Sequence, residues 1–386
     1  MPASDATAPE LAIPALDVRA LARRAALPIA VVGAGATAVA LAGGPLQAFA
    51  SALERAFHAD PRWVMAAAGF ELLSFVGYIA LLWLVGARAT PRLGLRASAE
   101  LTLGGAAATR LLPTGGLGGA ALTIWAFRRA GLGAREATRT LLAFLVVLYS
   151  IFLGSIAAAG AMLALGLAPG DGPLALSAVP AAAAALAIAA ALALATRRES
   201  DEPVAVAAIG ARRSARARAG LRNTPGALGA AVRDAIVLVR SGDLRLLGAL
   251  VWWGLDVAVL WAMLQALGAP PSLAVVVLGY FVGQVANTVP IPGAVSSGMV
   301  GVLLAFGVDT DLALASVLGY RAVAIWLPAP IGLAALGRLR RTVARWSQED
   351  APAAPASATA PARKGDRERR TVPVWSNPKP AVQVAA

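Results

Sequence analysis

The sequence predicts an all-α polytopic membrane protein, with six transmembrane helices plus two re-entrant helical hairpins in an inverted repeat. Three observations lead there. Of 386 residues, 58% are hydrophobic and 14% charged, at a mean hydropathy of +0.70. Soluble domains are only about 45–50% apolar. The apolar residues fall in runs of about twenty, the length that crosses a hydrocarbon core. Two further runs, Leu103–Arg129 and Leu278–Phe306, are broken in the middle by Pro and Gly. Proline lacks an N–H and its ring clashes with the preceding turn, so neither run can be one straight helix. Broken backbone at membrane depth is tolerated only where protein covers it or it lines a wet cavity.

Composition also excludes. Alternating ten-residue strands are absent, which removes a membrane β-barrel. The chain has no cysteine, so disulfides and thiol chemistry are out, and its single His58 makes no histidine metal cluster. The net charge of +13 sits in loops and tails between apolar spans. That placement fits topology and anionic-lipid contact rather than nucleic-acid binding.

Taken in order, residues 1–26 read as a short cytoplasmic lead with Arg19, Arg23 and Arg24. Leu27 to about Ala50 is the first span, Trp63–Val85 the second and Thr140 to about Leu167 the third. Leu174–Thr196, Leu246–Leu267 and Leu312–Gly337 are the fourth, fifth and sixth. The first broken segment runs from about Ala99 to Phe127, with basic loops on both flanks, so it opens to the cytoplasm. The second, about Leu273 to Gly307, is followed by Asp309 and Asp311 without a base, so it opens outside. Arg197–Arg245 reads as a cytoplasmic loop, too rich in Ala, Gly and Arg for a second domain. The membrane domain is thus 27–341, and 342–386 is a Pro/Ala-rich, charged, disordered cytoplasmic tail. Of the 34 Lys and Arg, all but Arg55, Arg62, Arg110 and Arg321 fall inside. That asymmetry sets both termini in the cytoplasm of a multi-pass protein of the cell membrane.

The halves align. Leu81–Ala87 resembles Met263–Ala269, and Pro113-Thr-Gly-Gly116 resembles Pro290-Ile-Pro-Gly293. An odd number of full spans precedes the second copy, so it is inverted. Inverted repeats let one architecture rock between inward-open and outward-open states.

Polar residues inside apolar spans mark the candidate site. Glu71 lies mid-span two and Asp256 mid-span five. Arg110 lies just before Pro113, Asn287 just before Pro290, Gln284 one turn before Asn287, and Arg321 in span six. A charge at bilayer centre costs at least about 2.5–3.5 kcal/mol, so these groups face the bundle interior or water. They form either a polar path or buried pairs that lock helices. In the first reading Arg110 and Arg321 hold a phosphate or carboxylate, with Gln284, Asn287, Ser296 and Ser297 beside them. Glu71 and Asp256 then serve charge balance or proton coupling. The breaks at Pro113, Gly115, Gly116, Pro290, Pro292 and Gly293 gate the path, and amides at Thr114–Gly119 and Gly293–Ser297 add anion contacts. No GxxxxGK[ST] or HExxH occurs, and no βαβ unit surrounds the GGLGG at 115–119. No cofactor, metal or catalytic residue is expected.

The hairpins LLPTGGLGG…RRAGLG and VPIPGAVSSG…FGV, followed by GYRAVAIWLP, resemble the flippase-like membrane domain of the lysylphosphatidylglycerol synthase family over roughly Leu27–Arg341. The resemblance implies movement of aminoacylated phospholipids, or related isoprenoid-linked lipids, between leaflets. Full-length synthases add a soluble aminoacyl-transferase domain; this chain has a tail there instead, so no enzyme activity is expected. Many relatives carry a Glu-Arg pair at the start of the third span, where this chain has Phe144-Leu145; its counterpart Tyr320-Arg321 is kept. The leading expectation is lipid translocation. The alternatives are a secondary transporter of a small anionic solute, or a non-transporting accessory protein of a cell-envelope enzyme.

The orientation is testable because the chain has no native cysteine. Single cysteines replacing Asp171 or Asp309 should react with an impermeant maleimide on intact cells, and those replacing Arg92 or Arg135 only after permeabilisation. The reverse pattern would invert the topology.

Overall fold

The computed structural model describes residues 54, 58–111, 117–196, 213–286 and 293–350, with backbone alone at 110–111, 117 and 213–225. The chain divides into units Met1–Gln348 and Glu349–Ala386, and the helices below build the first. Described elements are helical throughout: α1 Pro61–Ala89, α2 Leu95–Leu111, α3 Leu117–Arg129, α4 Ala134–Ala164, α5 Leu174–Thr196 and α6 Arg213–Arg240. A 3₁₀ turn, Leu244–Leu247, leads into α7 Gly248–Leu267. Then come α8 Leu273–Val285, α9 Ala294–Ala305, α10 Thr310–Trp326 and α11 Pro328–Glu349.

Five segments are long and apolar enough to cross a membrane: α1, α4, α5, Leu244–Leu267 and Thr310–Glu349. They correspond to the second through sixth predicted spans. The first, Leu27–Ala50, lies outside the described residues. Starts and stops follow local chemistry. Asp60 caps α1 by accepting the N–H of Arg62, and Pro61 takes the first turn, where its missing donor costs nothing. Asp309 caps α10 through the N–H groups of Asp311 and Leu312. Asp243 caps the 3₁₀ turn, and hydrogen bonds from the Arg245 side chain and backbone hold its carboxyl down to about 2.

The α1–α7 pair is the most extensive helix contact. It is antiparallel: the Asp60 N–H reaches the Ala266 carbonyl at 2.9 Å, and Trp63 meets Trp261 edge to face. At the other end a Cβ on Gly248 would stand 2.2 Å from the Gly77 carbonyl oxygen. Two backbones touch there with no side chain between them, as helices in lipid do when small residues line the contact.

Helix ends gather at two rims. One holds the start of α1, the end of α7, the 165–173 loop, the start of α8, the end of α9 and the start of α10. Gly170 and Gly172 pack on Val275 and Phe306 there, and Gly268 on Leu312. Its charges include Asp60, Asp171, Asp309 and Asp311. At the opposite rim Thr90 Oγ1 donates to the Ala130 carbonyl, and Arg88 donates to Ser241 at 3.0 Å. Arg139 pairs with Asp234 there, and Arg245 lies 4.6 Å over Trp83. The pair α2/α3 therefore opens at the basic rim. In α8/α9, Gly279 faces Val302 and Leu303 while Gly283 faces Met299, an antiparallel pair that opens at the acidic rim.

Three sequence expectations change. The stretch 197–245 is not all loop: 213–240 is helix α6, which buries Ala231, Ala235 and Leu238 at helical spacing against α4 and α5. Alanine and arginine are both strong helix formers, which their reading as loop composition overlooked. The sixth span is two helices, because Pro328 cannot donate to the turn before it. The helix also continues to Glu349, so 342–349 is helical rather than tail.

Replacing Gly248 with Val should force α1 and α7 apart and lower stability by about 1–3 kcal/mol, read as thermal unfolding in detergent. Gly254→Ala on the same helix meets nothing within 4 Å and should not destabilise. Equal loss for both would mean the close approach is unimportant.

Candidate functional site

The interior polar residues share one level. At 1.5 Å per residue, Glu71 lies about 17 Å along α1 from Asp60, and Asp256 about 15 Å along α7 from Ala266. Gln284 lies about 17 Å along α8 from Leu273, and Arg321 about 18 Å along α10 from Asp309. All four distances start at the acidic rim. The groups therefore lie near the middle of a core about 30 Å thick.

A hydrogen-bonded chain links three of these helices. Tyr280 of α8 donates its hydroxyl to Oδ2 of Asp256 on α7. Gln284 Nε2, one turn along α8, donates to Tyr280 Oη at 3.1 Å and to Tyr320 Oη of α10 at 3.3 Å. Asp256 is 3% exposed, and its Oδ1 has no hydrogen-bond partner among the described residues. Glu71 is fully buried. Arg321, half-buried and next to Tyr320, makes no hydrogen bond or ion pair among the described residues. A guanidinium is planar, permanently charged and forked, so it binds a phosphate or carboxylate through two parallel hydrogen bonds.

Aromatic rings surround this chain. Tyr78 of α1 meets Phe144 of α4 and Trp252 of α7, each edge-on at 4.9 Å. Trp253 meets Phe152 and Phe281, and its indole N–H donates to the Leu148 carbonyl at 2.8 Å. Phe144, where many relatives were expected to carry a charge, is 1% exposed, and its packing on Tyr78 fills that place with hydrocarbon.

Of the residues singled out from sequence, Asp256 and Gln284 join the network directly, and Arg321 adjoins it. Ser296 is half-buried and Ser297 exposed on α9, and neither takes part in it. Gly293 caps α9 at φ 86°, a left-handed backbone that suits glycine. The Gly119 amide is not available to an anion, because Thr109 Oγ1 accepts it at 2.9 Å. The Ser297 amide likewise bonds the Gly293 carbonyl. Pro113, Gly115, Gly116, Asn287, Pro290 and Pro292 lie outside the described residues, as does the Arg110 side chain. Sequence reasoning missed Tyr280 and the hydroxyl of Tyr320. The signal was there: Tyr280 is one turn before Gln284 on the same helical face, and a tyrosine inside an apolar run needs a partner for its O–H. Among the described residues no group of three or more His, Asp or Glu could hold a metal ion.

The model of the family described as Lysylphosphatidylglycerol synthase TM region matches residues 26–332, most of the chain. No curated protein matches it.

Tyr280→Phe removes the one donor to Asp256 among the described residues, and should cost about 1–3 kcal/mol in detergent unfolding. Tyr320→Phe removes the longer bond from Gln284 and should cost less than about 1 kcal/mol. The opposite ranking would break the proposed order of importance.

Proposed function

The chain belongs to the lysylphosphatidylglycerol synthase TM region family, and from that premise we propose that it moves a lipid head group between leaflets. The cargo is an anionic or aminoacylated phospholipid, or a related isoprenoid-linked lipid. The observation that carries this reading is Arg321: a mid-depth guanidinium without a partner among the described residues, beside a buried hydrogen-bonded chain. An unbalanced charge at that depth is costly to keep and is characteristic of substrate paths. Arg110, at the far end of α2, is the second arginine of the path.

In this reading α2/α3 and α8/α9 are re-entrant hairpins of an inverted repeat, broken at Pro113–Gly116 and Pro290–Gly293. Their opening at opposite rims supports it. The basic rim faces the cytoplasm, as the clustering of Arg88, Arg92, Arg96, Arg128, Arg129 and Arg135 favours. The head group passes Arg321, Gln284 and Asn287 while the acyl tails stay in lipid. Glu71 and Asp256 balance the arginines when the path is empty, or carry a coupling proton.

Reconstitution with labelled phosphatidylglycerol, lysylphosphatidylglycerol and a polyprenyl phosphate tests this. Wild type should exchange at least one of them between leaflets, and Arg321→Ala should slow that by about tenfold or more, the loss of about 1.4 kcal/mol of binding. Arg321→Lys should recover part of it. Flux of a small anion without lipid exchange would favour the solute transporter, and unchanged exchange in Arg321→Ala would remove Arg321 from the path.

A further inference from the structure

A second polar constellation lies far from the mid-depth site, where α11 crosses α2 at the basic rim. Helix α11 is amphipathic. Gly332, Ala335, Leu339, Thr342 and Trp346 recur at three- and four-residue spacing and are buried, while Arg338, Arg340, Arg341 and Arg345 stand on the exposed side. A Cβ on Gly332 would lie 2.6 Å from the Leu103 carbonyl oxygen, so the two helices touch backbone to backbone. One turn toward the rim, Glu100 of α2 is 5% exposed. It accepts from Thr342 Oγ1 of α11 at 2.6 Å and from Nε of Arg96 at 3.1 Å. Between these groups is a cleft of about 250 Å³ lined by Arg96, Ala99, Glu100, Leu103, Ala335 and Arg338.

The chemistry of the cleft is specific. Both oxygens of Glu100 are engaged, so its charge is committed to holding Arg96 and Thr342 in place. Arg96 uses only Nε for that contact, and its two terminal amino groups have no partner among the described residues. Arg338, facing from α11, makes no hydrogen bond or ion pair among the described residues. Two guanidiniums thus face one opening over walls of Ala99, Leu103 and Ala335. Glu100 lies about 8 Å along α2 from its first residue, the depth at which head groups give way to acyl chains.

We propose that this cleft binds the phosphodiester of an anionic phospholipid from the leaflet at the basic rim, bridging Arg96 and Arg338. The volume suits a head group, not a whole lipid, and the apolar walls favour an ester with hydrocarbon attached over a free, hydrated phosphate. Glu100 is a positioning residue that aims Arg96. The bound lipid clamps α11 onto α2, the helix that leads to the Pro113–Gly116 break. The site stands independently of any transport activity.

The test uses the purified full-length chain in mild detergent, with retained lipid counted by native mass spectrometry. Offered equal amounts, wild type should retain phosphatidylglycerol over phosphatidylcholine by about tenfold or more, because two arginines face the anionic head group. Arg96→Gln with Arg338→Gln should abolish that preference, and Ala99→Leu, which narrows the cleft without changing charge, should weaken it. Arg128→Gln with Arg135→Gln, on the same rim outside the cleft, should keep it. Retention unchanged in the cleft variants, or lost equally in the rim control, would overturn the proposal. Displacement of the lipid by inorganic phosphate at equal concentration would overturn the lipid assignment.

Discussion

The architecture depends on the approach of α1 and α7 at Gly77 and Gly248. In hydrocarbon, burial of apolar surface gives two helices no reason to associate, since lipid tails are as apolar as leucine. Close packing has to supply the attraction, and it is strongest where no side chain holds the backbones apart. A Cβ on Gly248 would lie 2.2 Å from the Gly77 carbonyl oxygen, and one on Gly77 2.5 Å from that of Gly248, so a Cβ at either residue is excluded. This contact, with the Asp60–Ala266 hydrogen bond at the far end, sets an antiparallel register. The register brings Glu71 level with the turn that carries Asp256, and presents Trp252 to Phe75 and Tyr78.

From that pair the interior is built outward in rings and hydroxyls. Trp253 reaches α4 and α8, and Tyr280 turns its edge to Phe281 while its hydroxyl reaches Asp256. At this depth the surrounding lipid offers no hydrogen bond, so a polar group needs a partner inside the protein. Asp256, Tyr280, Gln284 and Tyr320 largely satisfy one another. Arg321, one residue on, sits outside that exchange. The network gives rigidity, and the Arg321 charge beside it has no partner among the described residues.

The two rims divide the remaining labour. The acidic rim is made of caps and short loops. The basic rim carries the longer amphipathic helices, α6 and α11, whose buried faces lie on the bundle, with Arg240 of α6 and Arg338, Arg340, Arg341 and Arg345 of α11 exposed. The Arg139–Asp234 pair ties α6 to α4, and the Glu100–Thr342 bond ties α11 to α2. Basic side chains there serve two ends at once, attraction to anionic lipid and attachment of peripheral helices.

Sequence alone determined the class, the position of each described span, the two interrupted runs and the uneven distribution of charge. These are properties of short windows: hydropathy over twenty residues, a proline that cannot donate, arginines between spans. It also picked out Glu71, Asp256, Gln284 and Arg321, because a polar residue in an apolar run is conspicuous whatever surrounds it. Only the tertiary structure decided which of them meet. Helix α7 is apolar nearly all round, so nothing in its sequence says which side Asp256 turns toward α8, and Tyr280 passed as one more aromatic residue. The Glu100–Thr342 bond joins residues 242 positions apart. Thr109 takes the Gly119 amide that looked free for an anion. Such pairings depend on how far each helix is rotated about its axis and how deep it sits against its neighbour. Those two quantities are set by backbone contacts between distant glycines, and no local window contains them.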